Sequence, residues 1–189
     1  MPSPWPLLLR HIQPRHHRRR RLVIALTLGS LLLTHRPGSA SPAAGRPRVP
    51  AELEAILPAD LRSLVQQLAR HGFRLLFAAP PEPGAYGQFV PASRTLYLAP
   101  ISLELGIARQ TLLHEAVHAA QSCPDGRLTP IGWSLRLDPV VNREISAILL
   151  RGYHHSNRLL EREAFAMQGQ PDAVGRILAA LRSRCRRQG

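Results

Sequence analysis

Thr111-Leu112-Leu113-His114-Glu115-Ala116-Val117-His118-Ala119-Ala120-Gln121 is the stretch on which the fold turns. It holds no Pro or Gly, and its flanks are apolar, so it predicts a helix. Leu113, Val117 and Ala120 recur at i, i+4 and i+7, which marks a buried face. On that helix His114 and His118 lie one turn apart and face the same way. Two imidazoles at this spacing can hold one Zn²⁺. Glu115 sits beside them, placed to take a proton from a water that the metal activates. The H-E-x-x-H letters alone are a weak signal; the apolar helical context gives them weight.

Outward from the motif, the helix is expected to run from about Leu103 to Ser122, ended by Cys123-Pro124-Asp125-Gly126. Before it lie three short strand candidates: Phe73 to Ala78, Tyr86 to Val90 and Thr95 to Leu98. Pro91-Ala92-Ser93-Arg94 joins the last two as a hairpin. A small sheet beside such a helix can offer its edge to an extended peptide. Further upstream, Leu61, Leu64, Val65 and Leu68 make an amphipathic helix that ends at His71-Gly72. After the motif, Thr129 to Leu137 is irregular, with Trp133 as a core plug. Asp138-Pro139 reads as the start of a helix carrying Val140, Val141, Ile145, Ile148 and Leu149. Residues 152–157 interrupt it, and two further helices follow, from about Arg158 to Gln168 and from Pro171 to about Arg184. The expectation is one mainly helical α+β domain over residues 51–189, with a small three-stranded sheet preceding the active-site helix.

A catalytic zinc site needs a third protein ligand. The extended form H-E-x-x-H-x-x-G-x-x-H is excluded, because Gln121 and Pro124 occupy the Gly and His positions. Downstream, Leu160-Glu161-Arg162-Glu163-Ala164-Phe165-Ala166 holds the acidic pair with helical context. Each Glu is followed by Ala three residues on, which would let the helix lie close to its partner. Spacing leaves Glu161 and Glu163 both open as ligand.

H-E-x-x-H with a Glu on a later helix resembles the gluzincin metallopeptidases. Glu161-Arg162-Glu163-Ala164 is similar to the E-x-E-A element of several bacterial groups in that clan, the ImmA/IrrE-like peptidases among them. The resemblance covers about Leu112–Gln121 and Leu160–Ala166. It implies a zincin-like fold, a zinc cofactor, a peptide or protein substrate, and Glu161 as the third ligand with Glu163 as the alternative. In the family an Asp or Asn stands four residues after the ligand Glu; here that position is Phe165, so a hydrogen bond behind the site is missing. Such peptidases often add a His or Tyr that donates to the developing oxyanion. Tyr153 and His154, in the break before the ligand helix, are the candidates.

The formal net charge is +13, all of its basic part Arg. Residues 1–50 hold nine Arg and no acid, so the excess belongs mainly to the N-terminus, and a nucleic-acid partner is not expected. There, Arg18-Arg19-Arg20-Arg21 precedes a twelve-residue uncharged run, 22–33, and Gly38-Ser39-Ala40 follows. A spanning helix needs about 20 apolar residues. The short run therefore predicts a signal peptide over 1–40, cleaved after Ala40, and a periplasmic or secreted protein. The alternative is an uncleaved membrane anchor at 22–33. Residues 41–50 read as a Pro- and Gly-containing linker. In an exported chain Cys123 and Cys185, the two cysteines present, suggest a disulfide between the end of the active helix and the C-terminal helix. Two buried thiols remain the alternative. Nothing in the residues specifies an oligomeric state.

Overall fold

The computed structural model describes residues 55–152 and 157–185. The predicted signal or anchor, the linker, and Tyr153 and His154 lie outside the described residues. Those described form an α+β unit of helices around a three-stranded mixed sheet.

Helix α1 spans Ala59–Arg70 and buries Leu61, Leu64, Val65 and Leu68, the predicted stripe. Strands β1 (Arg74–Phe77), β2 (Gly87–Val90) and β3 (Thr95–Leu98) follow, in the spatial order β1-β3-β2. β3 pairs parallel with β1 and antiparallel with β2, so β2 is an edge strand. The β2–β3 connection is a 3₁₀ turn over Pro91–Ser93, followed by Arg94 in the left-handed region. Arg94 is tied down by a hydrogen bond to the His71 carbonyl and by its guanidinium over the Phe73 ring.

The motif helix is shorter than predicted. A separate turn, α2, covers Ile101–Glu104, and α3 runs from Ala108 to Gln121. Gly106, at φ +68°, separates them. The Gly106 N–H meets the Leu103 carbonyl and the Ile107 N–H meets that of Ser102. This is the Schellman arrangement, which needs a left-handed residue that glycine supplies without steric cost. Apolar periodicity continues through Leu103 and Leu105, which hides the break.

α3 is the central element, packed against α1, α2, α5 (Arg158–Gln168), α6 (Ala173–Arg184), β2 and β3. It is buried on nearly every side rather than along one stripe. α4 (Pro139–Gly152) packs on α5 through a second, smaller core of Ile145, Leu149 and Phe165. Residues 127–138 form no regular element, as expected, and Trp133 is partly buried against the main core. Cys123 and Cys185 are joined as a disulfide, linking the end of α3 to the end of α6. No helix among the described residues is long and apolar enough to cross a membrane.

Candidate metal centre

The site forms where α5 crosses α3. Its starting point is local: helical spacing puts the His114 and His118 rings edge to face, 4.8 Å apart between centroids. Their Nε2 atoms are 3.1 Å apart. Glu161, in the first turn of α5, brings its Oε2 to 3.2 Å from Nε2 of His114 and 3.5 Å from Nε2 of His118. Four ligands around a tetrahedral zinc, at bonds of about 2.0–2.2 Å, stand roughly 3.3–3.6 Å from one another. The three donor atoms therefore already lie within a few tenths of an ångström of one face of that tetrahedron. His114, His118 and Glu161 could hold a metal ion.

The far side of each imidazole explains why Nε2 is the nitrogen that faces the centre. Nδ1 of His114 is 3.0 Å from Gln168 Oε1, and Nδ1 of His118 is 2.8 Å from Gln121 Oε1. An amide oxygen only accepts, so each Nδ1 carries a hydrogen; each Nε2 is the nitrogen turned toward Glu161, and with a cation bound in place of a proton it would present its lone pair. Neither glutamine was singled out as functional from the sequence. Gln121 had a signal: it lies three residues after His118, on the same helical face. Gln168 had none until α5 was docked. It lies three residues after Phe165 and is the hydrogen-bond partner behind His114. The Phe165 ring itself packs edge-on against His114, 4.6 Å between centroids.

Glu163, the alternative ligand, is engaged elsewhere. Its Oε2 accepts from the Ile131 N–H (2.8 Å) and Gln121 Nε2 (3.0 Å). Its Oε1 accepts from the N–H groups of Gly132 (2.6 Å) and Trp133 (3.3 Å). The carboxylate that reaches the two imidazoles is that of Glu161.

Glu115 points toward the sheet side of the same centre. It is buried, and burial pushes its carboxyl pKa up, opposed by the nearby imidazoles and by a backbone hydrogen bond from Phe89. β2 comes close here because residue 87 is glycine. A Cβ at Gly87 would stand 2.5 Å from Thr111 Cγ2 and 3.0 Å from Glu115 Cγ. Tyr86 bonds to Ala99 across the sheet, so by antiparallel alternation the backbone groups of Gly87 and Phe89 face away from β3. They line the approach to Glu115.

Burial is the largest influence on His118 and by itself lowers its pKa. The hydrogen bond and charge of Glu161, with the charge of Glu115 and the bond to Gln121, outweigh it and push the imidazole up to about 9. Burial likewise opposes charge on Glu161, yet the hydrogen bonds from His114 and His118 hold its carboxyl well below the usual carboxylate range. The cluster thus keeps its negative charge by borrowing positive charge from its neighbours.

A cavity of about 430 Å³ lies beside Trp133, Leu135, Leu159, Arg162 and Ala166. Leu159, Arg162 and Ala166 project from the face of α5 opposite Glu161, so this cavity does not lie at the candidate metal centre. No protein-family model matches the chain, and no curated protein or solved structure matches it significantly.

Proposed function

We propose that the protein is an exported zinc-dependent peptidase of the gluzincin type, with His114, His118 and Glu161 as ligands. One observation carries this: three donors from two helices converge at tetrahedral spacing, with Glu115 next to them on the motif helix. Zinc in such a site supplies Lewis acidity and a nucleophile at neutral pH. The residues supply the rest. Gln121 and Gln168 orient the two imidazoles. Glu115, its proton affinity raised by burial, accepts a proton from the attacking water and returns it to the leaving amine. Apart from the Phe89 N–H held by Glu115, the outward backbone groups of β2 support an extended peptide as substrate, since a strand edge binds extended chains through main-chain hydrogen bonds.

Export is supported by the basic N-terminus with its apolar run and by the Cys123–Cys185 disulfide, a bond that persists in oxidising compartments. Metal analysis of dialysed protein, with hydrolysis of an unfolded protein substrate, tests the central proposal. Bound zinc with turnover is expected. Zinc without turnover would make the chain a zinc-containing binding module, and no zinc would end the metallopeptidase proposal.

A further inference from the structure

The two imidazoles are oriented by different glutamines, and these are held differently. Gln168 meets His114 through Oε1 while its buried Nε2 has no hydrogen-bond partner. Gln121 meets His118 through Oε1, and its Nε2 donates to both the Leu160 carbonyl (3.0 Å) and Glu163 Oε2. Glu163 in turn gathers three consecutive backbone N–H groups, from Ile131 to Trp133. An unbroken hydrogen-bonded path thus runs from the 131–133 backbone through Glu163 and Gln121 to His118.

We propose that Gln121 and Glu163 are positioning residues for the zinc site. Glu163 fixes the sense of the Gln121 amide, and Gln121 keeps His118 protonated at Nδ1 and ligating through Nε2. This rests on the zinc proposal above.

The physical case is one of donors and acceptors. An amide can be turned end for end at little steric cost, and its sense is decided by its neighbours. Both neighbours of Gln121 Nε2 are oxygens without hydrogens. Turning the amide would set its oxygen against a carbonyl and a carboxylate, in a side chain with no exposed surface. Oε1 must therefore face His118. An imidazole that ligates a metal is neutral with one N–H, and an acceptor at Nδ1 places it there. Glu163 suits the task because each of its oxygens takes two donors. A Gln at 163 would offer one oxygen and point an NH₂ group at N–H donors. The segment that Glu163 grips has a second, separate support. Arg184 donates to the carbonyls of Ala120, Thr129 and Pro130, and its neighbour Cys185 is in the disulfide. Loss of the Glu163 contacts need not unfold the segment.

The test is a double-mutant cycle in zinc affinity, measured by competition with a chromophoric chelator on the full chain. The proteins are wild type, Gln121→Met, Glu163→Gln and the double variant. Melting in chelator checks that each folds. Removing a hydrogen-bond partner of a metal-bound imidazole typically weakens metal binding about 10–100-fold, and that is expected for Gln121→Met. Glu163→Gln should cost about fivefold, the size of one hydrogen bond's net contribution. The double variant should bind no more weakly than Gln121→Met, because Glu163 acts through Gln121. In ¹H–¹⁵N spectra of the zinc-loaded proteins, the His118 Nδ1–H signal should be lost to solvent exchange in Gln121→Met while that of His114 persists. Losses that simply add would show that Glu163 only supports the segment, and would overturn the proposal. Unchanged affinity and an unchanged His118 signal in Gln121→Met would overturn it too, and these decide alone should Glu163→Gln not fold. If the wild type binds no zinc, the zinc proposal fails first and this one with it.

Discussion

Glu161 and Glu163 stand two residues apart on α5, roughly 200° apart around its axis, and reach two different regions. Glu161 faces α3 and meets the Nε2 atoms of two imidazoles whose Nδ1 atoms are engaged by glutamine oxygens. Glu163 faces the 131–133 segment and Gln121, and four N–H donors fill its two oxygens. The same functional group is a candidate ligand where its neighbours are imidazole nitrogens, and a structural tie where they are amide N–H groups. Acidity and helical context are common to both positions. The phase of α5 against α3 separates them.

The largest expected effect breaks the pair apart. Glu161→Ala, like His114→Ala or His118→Ala, removes a coordination bond and should leave dialysed protein without stoichiometric zinc and without activity. Glu163→Ala should retain zinc after dialysis, with weakened affinity. Metal content of the four variants by elemental analysis checks this; retention by Glu161→Ala and loss by Glu163→Ala would exchange the two roles.

Next is the carboxylate that is neither ligand nor tie. Glu115→Gln should keep zinc nearly intact and lower kcat about 10²–10⁴-fold, the usual value of a placed general base. Loss of metal together with activity would count it among the ligands.

Stability sharpens the contrast from the other side. Glu163→Ala leaves three backbone N–H groups and an amide without their acceptor. Each orphaned donor costs about 1–3 kcal/mol, reduced by whatever water reaches it. A loss of about 3 kcal/mol is expected in denaturant titration of the metal-free protein, and a smaller one for Glu161→Ala. Equal losses would mean that Glu161 is as much a structural tie as Glu163.

The smallest effect concerns the strand that crowds Glu115. In Gly87→Ala the new methyl meets Thr111 Cγ2 and Glu115 Cγ, so β2 must move outward. Overpacking of this kind costs about 1–3 kcal/mol. A fall in kcat with zinc content unchanged is expected alongside it, because Glu115 loses its register with the Phe89 N–H.

Local signals were strong enough to read α1, the three strands and the helices after the motif. The period of Leu61, Leu64, Val65 and Leu68, the turn residues Pro91 to Arg94, and Asp138-Pro139 each act within a few positions of themselves. The start of α3 was not legible, because a left-handed glycine interrupts an apolar pattern without disturbing it. The pairing of His114, Glu115 and His118 was legible for the same reason as the helices: a 3.6-residue period fixes which side chains share a face. The chain by itself thus determined two imidazoles, a neighbouring carboxylate and two candidates for the third ligand. Only the tertiary structure brought Glu161 rather than Glu163 to the imidazoles, set Gln121 and Gln168 behind the rings, closed Cys123 onto Cys185, and put Gly87 against Glu115. Each of these joins residues from separate elements. Their meeting depends on how helices and sheet dock around a buried α3, and no short-range preference encodes the angle and phase of that docking.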